Sequence, residues 1–149
     1  MPSEQDPRWR QYATALLRIG AAPVLEVDLS LPLSRAQHDR LRELGLGRGF
    51  GVVTAANPAG RLATSEANRA AQEALRVQVE RNGLVPVRAD GYSRDERHYE
   101  PGFAVPFPRH ECIALARRFR QLALYWYDGE AFSIVGAIME APDVRLPAE

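Results

Sequence analysis

The chain contains no lysine, so all 19 of its positive charges are arginines. This absence excludes chemistry that needs a lysine amine: a Schiff base, a pyridoxal phosphate anchor or the lysine of a phosphate-binding loop. It also weakens the arginines as evidence for an anionic partner, because most of them must serve as ordinary solvated side chains. The net charge is zero and no basic block interrupts the sequence, which disfavours a nucleic-acid-binding protein.

Cysteine and long apolar runs are also scarce. The single Cys112 cannot form an internal disulfide and has no neighbours at metal-ligand spacing, which is typical of a reducing compartment. No apolar run approaches the roughly 20 residues that span a bilayer, and residues 1–6 lack the features of a signal peptide. We therefore predict a cytoplasmic protein with no membrane partner, no metal site and no cofactor.

A length of 149 residues fits one domain. The patterns divide it into an N-terminal helix-strand-helix segment (1–49), an α+β core (50–138) and a tail that frays (139–149). The first helix is predicted to begin at Asp6-Pro7 and to end at Gly20, because its apolar residues follow a helical stripe. A strand over 23–29 and a helix from the capping box at Ser34 to Leu44 complete the segment.

The core begins with a predicted strand over 50–56, which stops at the Asn57-Pro58 turn. A helix follows from about Ser65 to Arg81, and Thr64 and Ser65 lie where it needs an N-cap. Two strands (84–89 and 99–105), a helix (108–121) and a hairpin over 122–138 complete the order. This order contains the split βαβ pattern, so we predict a ferredoxin-like βαββαβ fold with an extra C-terminal strand. Two helices should lie on one face of a mostly antiparallel sheet.

The turn after the first core strand is the best candidate site. The residues predicted to bind a ligand there are Asn57, Ser65, Asn68, Arg69, Gln72 and Glu100. In the functional interpretation they form a polar pocket at a helix N-terminus, which would favour an anion held by Arg69. In the structural interpretation Asn57 caps the turn, Asn68 and Gln72 bond to loop backbone, and Arg69 pairs with Glu100. The sequence leaves both open.

No catalytic motif is present, so the first hypothesis is a module that binds a small anionic molecule or a protein. The alternative is a hydrolase or transferase in which Glu100 is the general acid or base and Arg69 clamps an anion. His98 and His110 are the other titratable candidates. The residues that could ligate a metal are scattered along the sequence.

The strand Tyr125-Trp126-Tyr127 places aromatic rings on both faces of the sheet. On a one-sided sheet at least one ring would be exposed and could form a homodimer interface. Alternatively, residues 1–44 supply a second layer that covers the aromatic side chains.

At several of these residues the chain resembles a family of small bacterial proteins, the domain of unknown function three-two-nine-three. The similarity covers about residues 50–136 and implies a bacterial cytoplasmic protein, but it implies no activity. It lies in Val53-Thr54-Ala55-Ala56-Asn57-Pro58, Ser65-Glu66-Ala67-Asn68-Arg69, Gln72, Leu75, Gly83, Glu100-Pro101-Gly102-Phe103, Arg118-Phe119-Arg120-Gln121 and the closing hairpin.

Overall fold

The structure is a computed structural model that describes residues 7–148. Within them it contains four α-helices, one short 3-10 helix (Pro58–Gly60) and nine strands. The helix predicted to start at Asp6 therefore has its N-cap outside the described residues. The helices are α1 (Pro7–Ala13), α2 (Arg35–Glu43), α3 (Ser65–Arg81) and α4 (Arg109–Arg118). The strands are β1 (Leu16–Ile19), β2 (Leu25–Asp28), β3 (Phe50–Thr54), β4 (Val87–Tyr92), β5 (Tyr99–Glu100), β6 (Gly102–Val105), β7 (Ala123–Tyr127), β8 (Phe132–Gly136) and β9 (Val144–Arg145).

The strands form one antiparallel sheet in the order β2-β1-β4-β6-β3-β7-β8-β9, and the short β5 pairs with β4 beside this path. The predicted α+β class with a mostly antiparallel sheet is confirmed. The four strands β4, β6, β3 and β7 form its centre. Strands from the N-terminal segment extend one side and β8 and β9 extend the other, so the sheet is larger than a four-stranded sandwich with one added strand.

The helices α3 and α4 share one face of the sheet. Leu75 and Val79 of α3 are fully buried in the same apolar cluster as Cys112 and Ala116 of α4. The cluster continues onto the sheet through Val53, Phe103, Val105, Leu124 and Val135. Burial of these side chains supplies the main force that holds both helices on the sheet.

The N-terminal segment covers the opposite face. Trp9 of α1 and Leu41 of α2 are buried in a second cluster that includes Phe50 and Tyr127. The Tyr125 hydroxyl donates to the Tyr12 carbonyl oxygen at 2.7 Å, and the two rings pack edge to face. The rings of strand β7 are buried or half-buried, so of the two alternatives the structure has the one in which the N-terminal segment covers the sheet. A homodimer through this strand stays a prediction.

Leu16–Ile19 forms strand β1 and not the end of the first helix. The helix ends at Ala13, and Leu17 and Ile19 alternate as fully buried residues in a strand that pairs with β2 and β4. An apolar residue at positions 16 and 19 suits either structure, so the helical stripe was a misleading signal. The N-terminal segment is consequently helix, two strands and helix.

The C-terminal tail also differs from the sequence prediction. Val144–Arg145 pairs with β8, and the Leu146 backbone amide donates to the Phe132 carbonyl oxygen at 2.8 Å. The Leu146 side chain is buried in the second cluster, which contains Trp9 and Leu41 and is called the N-terminal cluster below. Its burial orders residues that the prolines of the tail suggested would fray.

Candidate functional site

The turn that follows β3 is held to α3 by a pair of asparagines. Asn57 has a left-handed backbone with φ 49°, which Asn tolerates better than most residues. Its backbone amide donates to Asn68 Oδ1 at 2.9 Å, and Asn68 Nδ2 donates back to Asn57 Oδ1 at 3.0 Å. The Ala63 amide donates to the same Oδ1 at 3.1 Å. These bonds follow the structural interpretation for Asn57 and Asn68.

The same bonds orient Asn57 toward Glu100. Because its Oδ1 accepts two hydrogen bonds, the amide cannot be flipped, and its Nδ2 is the group that faces the Glu100 carboxyl. Burial raises the pKa of Glu100, while the contact with Asn57 and the charge of His98 offset part of this rise. Asn57, Asn68 and Glu100 therefore form one connected polar group drawn from three separate segments.

Glu100 lines a cavity of about 50 Å³ between the sheet and α1. Most of the wall is apolar, and among residues 7–148 Glu100 is the one charged side chain in it. The lining residues are Tyr12, Leu17, Val52, Thr54, Ala89, Gly91, Glu100, Gln121, Ala123, Leu124, Tyr125 and Ile134.

Of the predicted site residues, only Glu100 is among those that line this cavity. Ser65 and Arg69 are exposed on α3 and do not line it. No ion pair joins Arg69 to Glu100, although both are within the described residues, so this part of the structural interpretation is not observed. Both polar side-chain atoms of Gln72 are buried without a hydrogen-bond partner among residues 7–148. The structure thus brings Asn57, Asn68 and Glu100 together, whereas the Arg69 side chain is exposed and forms no ion pair with Glu100.

Four polar or aromatic lining residues were missed from the sequence: Tyr12, Thr54, Gln121 and Tyr125. Gln121 is only 7% exposed, and its Nε2 donates to the carbonyl oxygens of Ala56 and Phe119, both at 3.1 Å. The available signal was its place in the Arg118-Phe119-Arg120-Gln121 motif, where a polar residue follows directly after a helix. Nothing in the local pattern marks Tyr12 or Tyr125.

Two strained loops meet beside the cavity. Asn57, Ala59 and Arg120 all have positive φ, at 49°, 57° and 58°, although none is glycine. The Ala59 amide donates to the Arg120 carbonyl oxygen at 2.6 Å, so the two loops are joined. Such conformations cost on the order of 1 kcal/mol or more each and persist where the surrounding contacts enforce them. The rim of the cavity is therefore held in place by its own hydrogen bonds.

The other titratable candidates do not add a reactive centre. His98 and His110 are exposed. Burial raises the pKa of the Cys112 thiol to about 11, which makes it a poor nucleophile at neutral pH. Among residues 7–148, no group of three or more His, Cys, Asp or Glu side chains is placed to hold a metal ion. No helix in the same part of the chain is long and apolar enough to cross a membrane.

The polar residues Thr54, Asn57, Asn68, Glu100 and Gln121 come from five places along one continuous stretch of sequence. Residues 53–124 match the family described as "Protein of unknown function (DUF3293)". This match confirms the resemblance and contains every one of those five residues, whereas Tyr12 and Tyr125 lie outside it. No curated protein and no solved structure matches the chain.

Proposed function

We propose that the protein binds a small molecule, or the end group of a larger one, in the cavity beside Glu100. The observation that carries the proposal is the half-buried carboxyl of Glu100, which interacts with the Asn57 side chain and lies in the wall of a mostly apolar cavity. Ligand sites commonly combine apolar walls with a few placed polar groups. A volume of about 50 Å³ holds only a few non-hydrogen atoms, so a longer ligand would insert one end.

The chemistry of the cavity favours a different ligand from the anion predicted from the sequence. The anion hypothesis needed Arg69 at the pocket, and Arg69 is exposed on α3. The charged group in the wall is a carboxyl, which would repel a bound anion. The proposal therefore keeps Glu100 from the predicted pocket, moves the site to the cavity that Glu100 lines, and replaces the anionic ligand with a neutral or cationic one.

Thermal unfolding in the presence of small fragments tests this proposal. The set contains ethylammonium, ethanol, acetamide and acetate, at millimolar concentration and matched ionic strength. At least one neutral or cationic fragment should raise the melting temperature, because a ligand that binds only the native state stabilises it. The substitution Ala123→Val should reduce that rise by filling the cavity, and the exposed Glu140→Gln should leave it unchanged. If none of the fragments stabilises the wild-type protein, the proposal is wrong.

A second candidate function is catalysis with Glu100 as general acid or base. The raised pKa of Glu100 inside a cavity favours it, because such a carboxyl keeps a proton closer to neutral pH. Arg69 would not act as the anion clamp of such an enzyme, because it does not line the cavity. Chromogenic ester, phosphate and glycoside substrates test the idea: turnover that is lost in Glu100→Gln and kept in Arg69→Ala would support it. Absence of turnover with the whole set counts against hydrolysis.

A further inference from the structure

We infer that the group bound in the cavity is a primary ammonium, an inference that rests on the proposed binding function. It follows from the hydrogen bonds of the polar lining residues. Three of those side chains, Thr54, Gln121 and Tyr125, have given all their hydrogen atoms to backbone carbonyl oxygens, so these three can meet a ligand only as acceptors.

Thr54 and Gln121 show this most directly. Thr54 Oγ1 donates its single hydrogen to the Pro101 carbonyl oxygen at 2.7 Å. Gln121 Nε2 uses its two hydrogens on the carbonyl oxygens of Ala56 and Phe119. A hydroxyl has one donor and an amide nitrogen has two, so both residues have no donor left. The Thr54 oxygen also accepts from the Ala56 amide, which leaves it one further lone pair.

Tyr125 has the same property. Its hydroxyl donates to the Tyr12 carbonyl oxygen at 2.7 Å. Burial raises the pKa of Tyr125, and the nearby charge of Glu100 raises it further, so the hydroxyl keeps this hydrogen at neutral pH. Its oxygen is therefore available only as an acceptor.

The Glu100 carboxylate adds negative charge to these acceptors. An ammonium group carries three donors, a positive charge and no acceptor, which complements the set. The rings of Tyr12 and Tyr125 in the same wall would add cation–π attraction. An alcohol supplies one donor, an amide leaves its own carbonyl unpaired, and a carboxylate supplies no donor.

The volume of the cavity restricts the ligand group that enters it to a small one. The cavity of about 50 Å³ exceeds the roughly 10–15 Å³ that one water needs and is about a third of the roughly 150 Å³ of a cavity that binds benzene, so it accepts an ammonium with one or two carbons. The planar guanidinium, with four heavy atoms in its head alone, is less well matched. The expected ligand class is a primary alkylamine, whose longer chain would extend out of the cavity.

Titration with ethylammonium chloride tests the inference, with ethanol, acetamide, acetate and guanidinium as comparisons at pH 7 and constant ionic strength. Binding is followed by NMR through the Gln121 side-chain amide and the backbone amides of Ala56 and Asn57. We expect saturable shifts with ethylammonium, at least tenfold weaker affinity in Glu100→Gln and a few-fold weaker affinity in Tyr125→Phe. The exposed Glu140→Gln serves as the matched control and should bind as the wild type does.

The outcomes separate this inference from the proposed function. If ethanol, acetamide or guanidinium binds as tightly as ethylammonium, or if Glu100→Gln binds ethylammonium unchanged, the ammonium assignment is wrong while a binding cavity remains. If no compound produces saturable shifts, the binding function itself fails. Thermal unfolding of each variant shows that it is folded before its affinity is compared.

Discussion

The pKa of Glu100 links the site to the stability of the protein. Burial raises it above the value in an unfolded chain, about 4.3. The native state therefore holds this proton more tightly than the unfolded state does. The stabilising contribution of the protonated group is complete below the unfolded pKa and is lost as the pH rises through the native pKa. The free energy of unfolding should therefore fall as the pH rises through the native pKa of Glu100.

Substitution Glu100→Gln removes the titration and keeps the shape of the side chain. We expect the variant and the wild type to have similar free energies of unfolding near pH 4 and the variant to be more stable at pH 8, as measured by urea denaturation between these values. Glu140→Gln at an exposed position controls for the loss of one negative charge. A wild type that gains stability over Glu100→Gln as the pH rises would contradict the assigned direction.

Gly102, two residues after Glu100, lies where the backbones of neighbouring strands pack closely. A Cβ at position 102 would lie 2.7 Å from the Val53 carbonyl oxygen and 2.9 Å from the Ala89 carbonyl oxygen. Both atoms belong to the backbone of neighbouring strands, so neither can move aside without distorting the sheet. The glycine lets β3 and β4 approach β6 from both sides.

We expect Gly102→Ala to lower the free energy of unfolding by about 2 to 3 kcal/mol, because the added methyl overpacks a site closed by backbone. Gly91→Ala is the matched control on β4, where the nearest atom to the new Cβ is the Glu100 carbonyl oxygen at 3.9 Å. That change should be neutral or slightly stabilising, since alanine loses less backbone entropy than glycine. Chemical denaturation of both variants measures the difference; equal effects would refute the steric explanation.

At the scale of elements, the helices with local end signals were the most predictable. The Thr64 side chain accepts from the Ala67 amide at 3.1 Å, and α3 ends at Arg81 before Asn82-Gly83, as the sequence indicates. The capping box that begins at Ser34 forms in the same way. Caps depend on residues within one turn of each other, so they can be read from a short stretch. Strand β1 has no such signal, and only its pairing with β2 and β4 distinguishes it from helix.

The candidate site was predictable in part for the same reason. Asn57 stood out because it precedes a proline at the end of a predicted strand, and Asn68 because it and Gln72 place amides on a stripe that becomes apolar at Leu75 and Val79 of α3. Gln121 and Tyr125 could not be selected, because their part in the cavity depends on which carbonyl oxygens take their hydrogens. Those acceptors, Ala56 and Tyr12, are 65 and 113 residues away. Distant pairings of this kind are set by the tertiary fold.

The Thr64 cap also predicts a measurable contribution to α3. We expect Thr64→Ala to lower the free energy of unfolding by about 1 kcal/mol, because the Ala67 amide loses its partner at the helix N-terminus. Thr64→Ser keeps the hydroxyl and should retain most of the stability. Urea denaturation monitored by circular dichroism compares the three proteins. Equal losses in the two variants would show that the threonine methyl, and not the cap, is responsible.

For the whole molecule, the sheet is the structure that the two apolar clusters share. One cluster joins α3 and α4 to one face, and the other joins the N-terminal segment to the opposite face. Strands β3, β6 and β7 contribute to both; Val52 and Val53, for example, are adjacent and belong to opposite clusters. Loss of either cluster should therefore weaken the sheet on which the other depends. This coupling leads us to expect that residues 1–149 unfold as one domain.

Two matched core substitutions test the coupling. Leu41 of α2 and Leu75 of α3 are both fully buried, one in each cluster. We expect Leu41→Ala and Leu75→Ala each to lower the free energy of unfolding by about 2 to 5 kcal/mol. In each variant circular dichroism and tryptophan fluorescence should give one coincident transition. The fluorescence samples both faces, because Trp9 lies in the N-terminal cluster and Trp126 packs against the other one. Two separate transitions in either variant, with Trp9→Phe identifying the reporter of each, would instead mean that the N-terminal segment unfolds independently of the core.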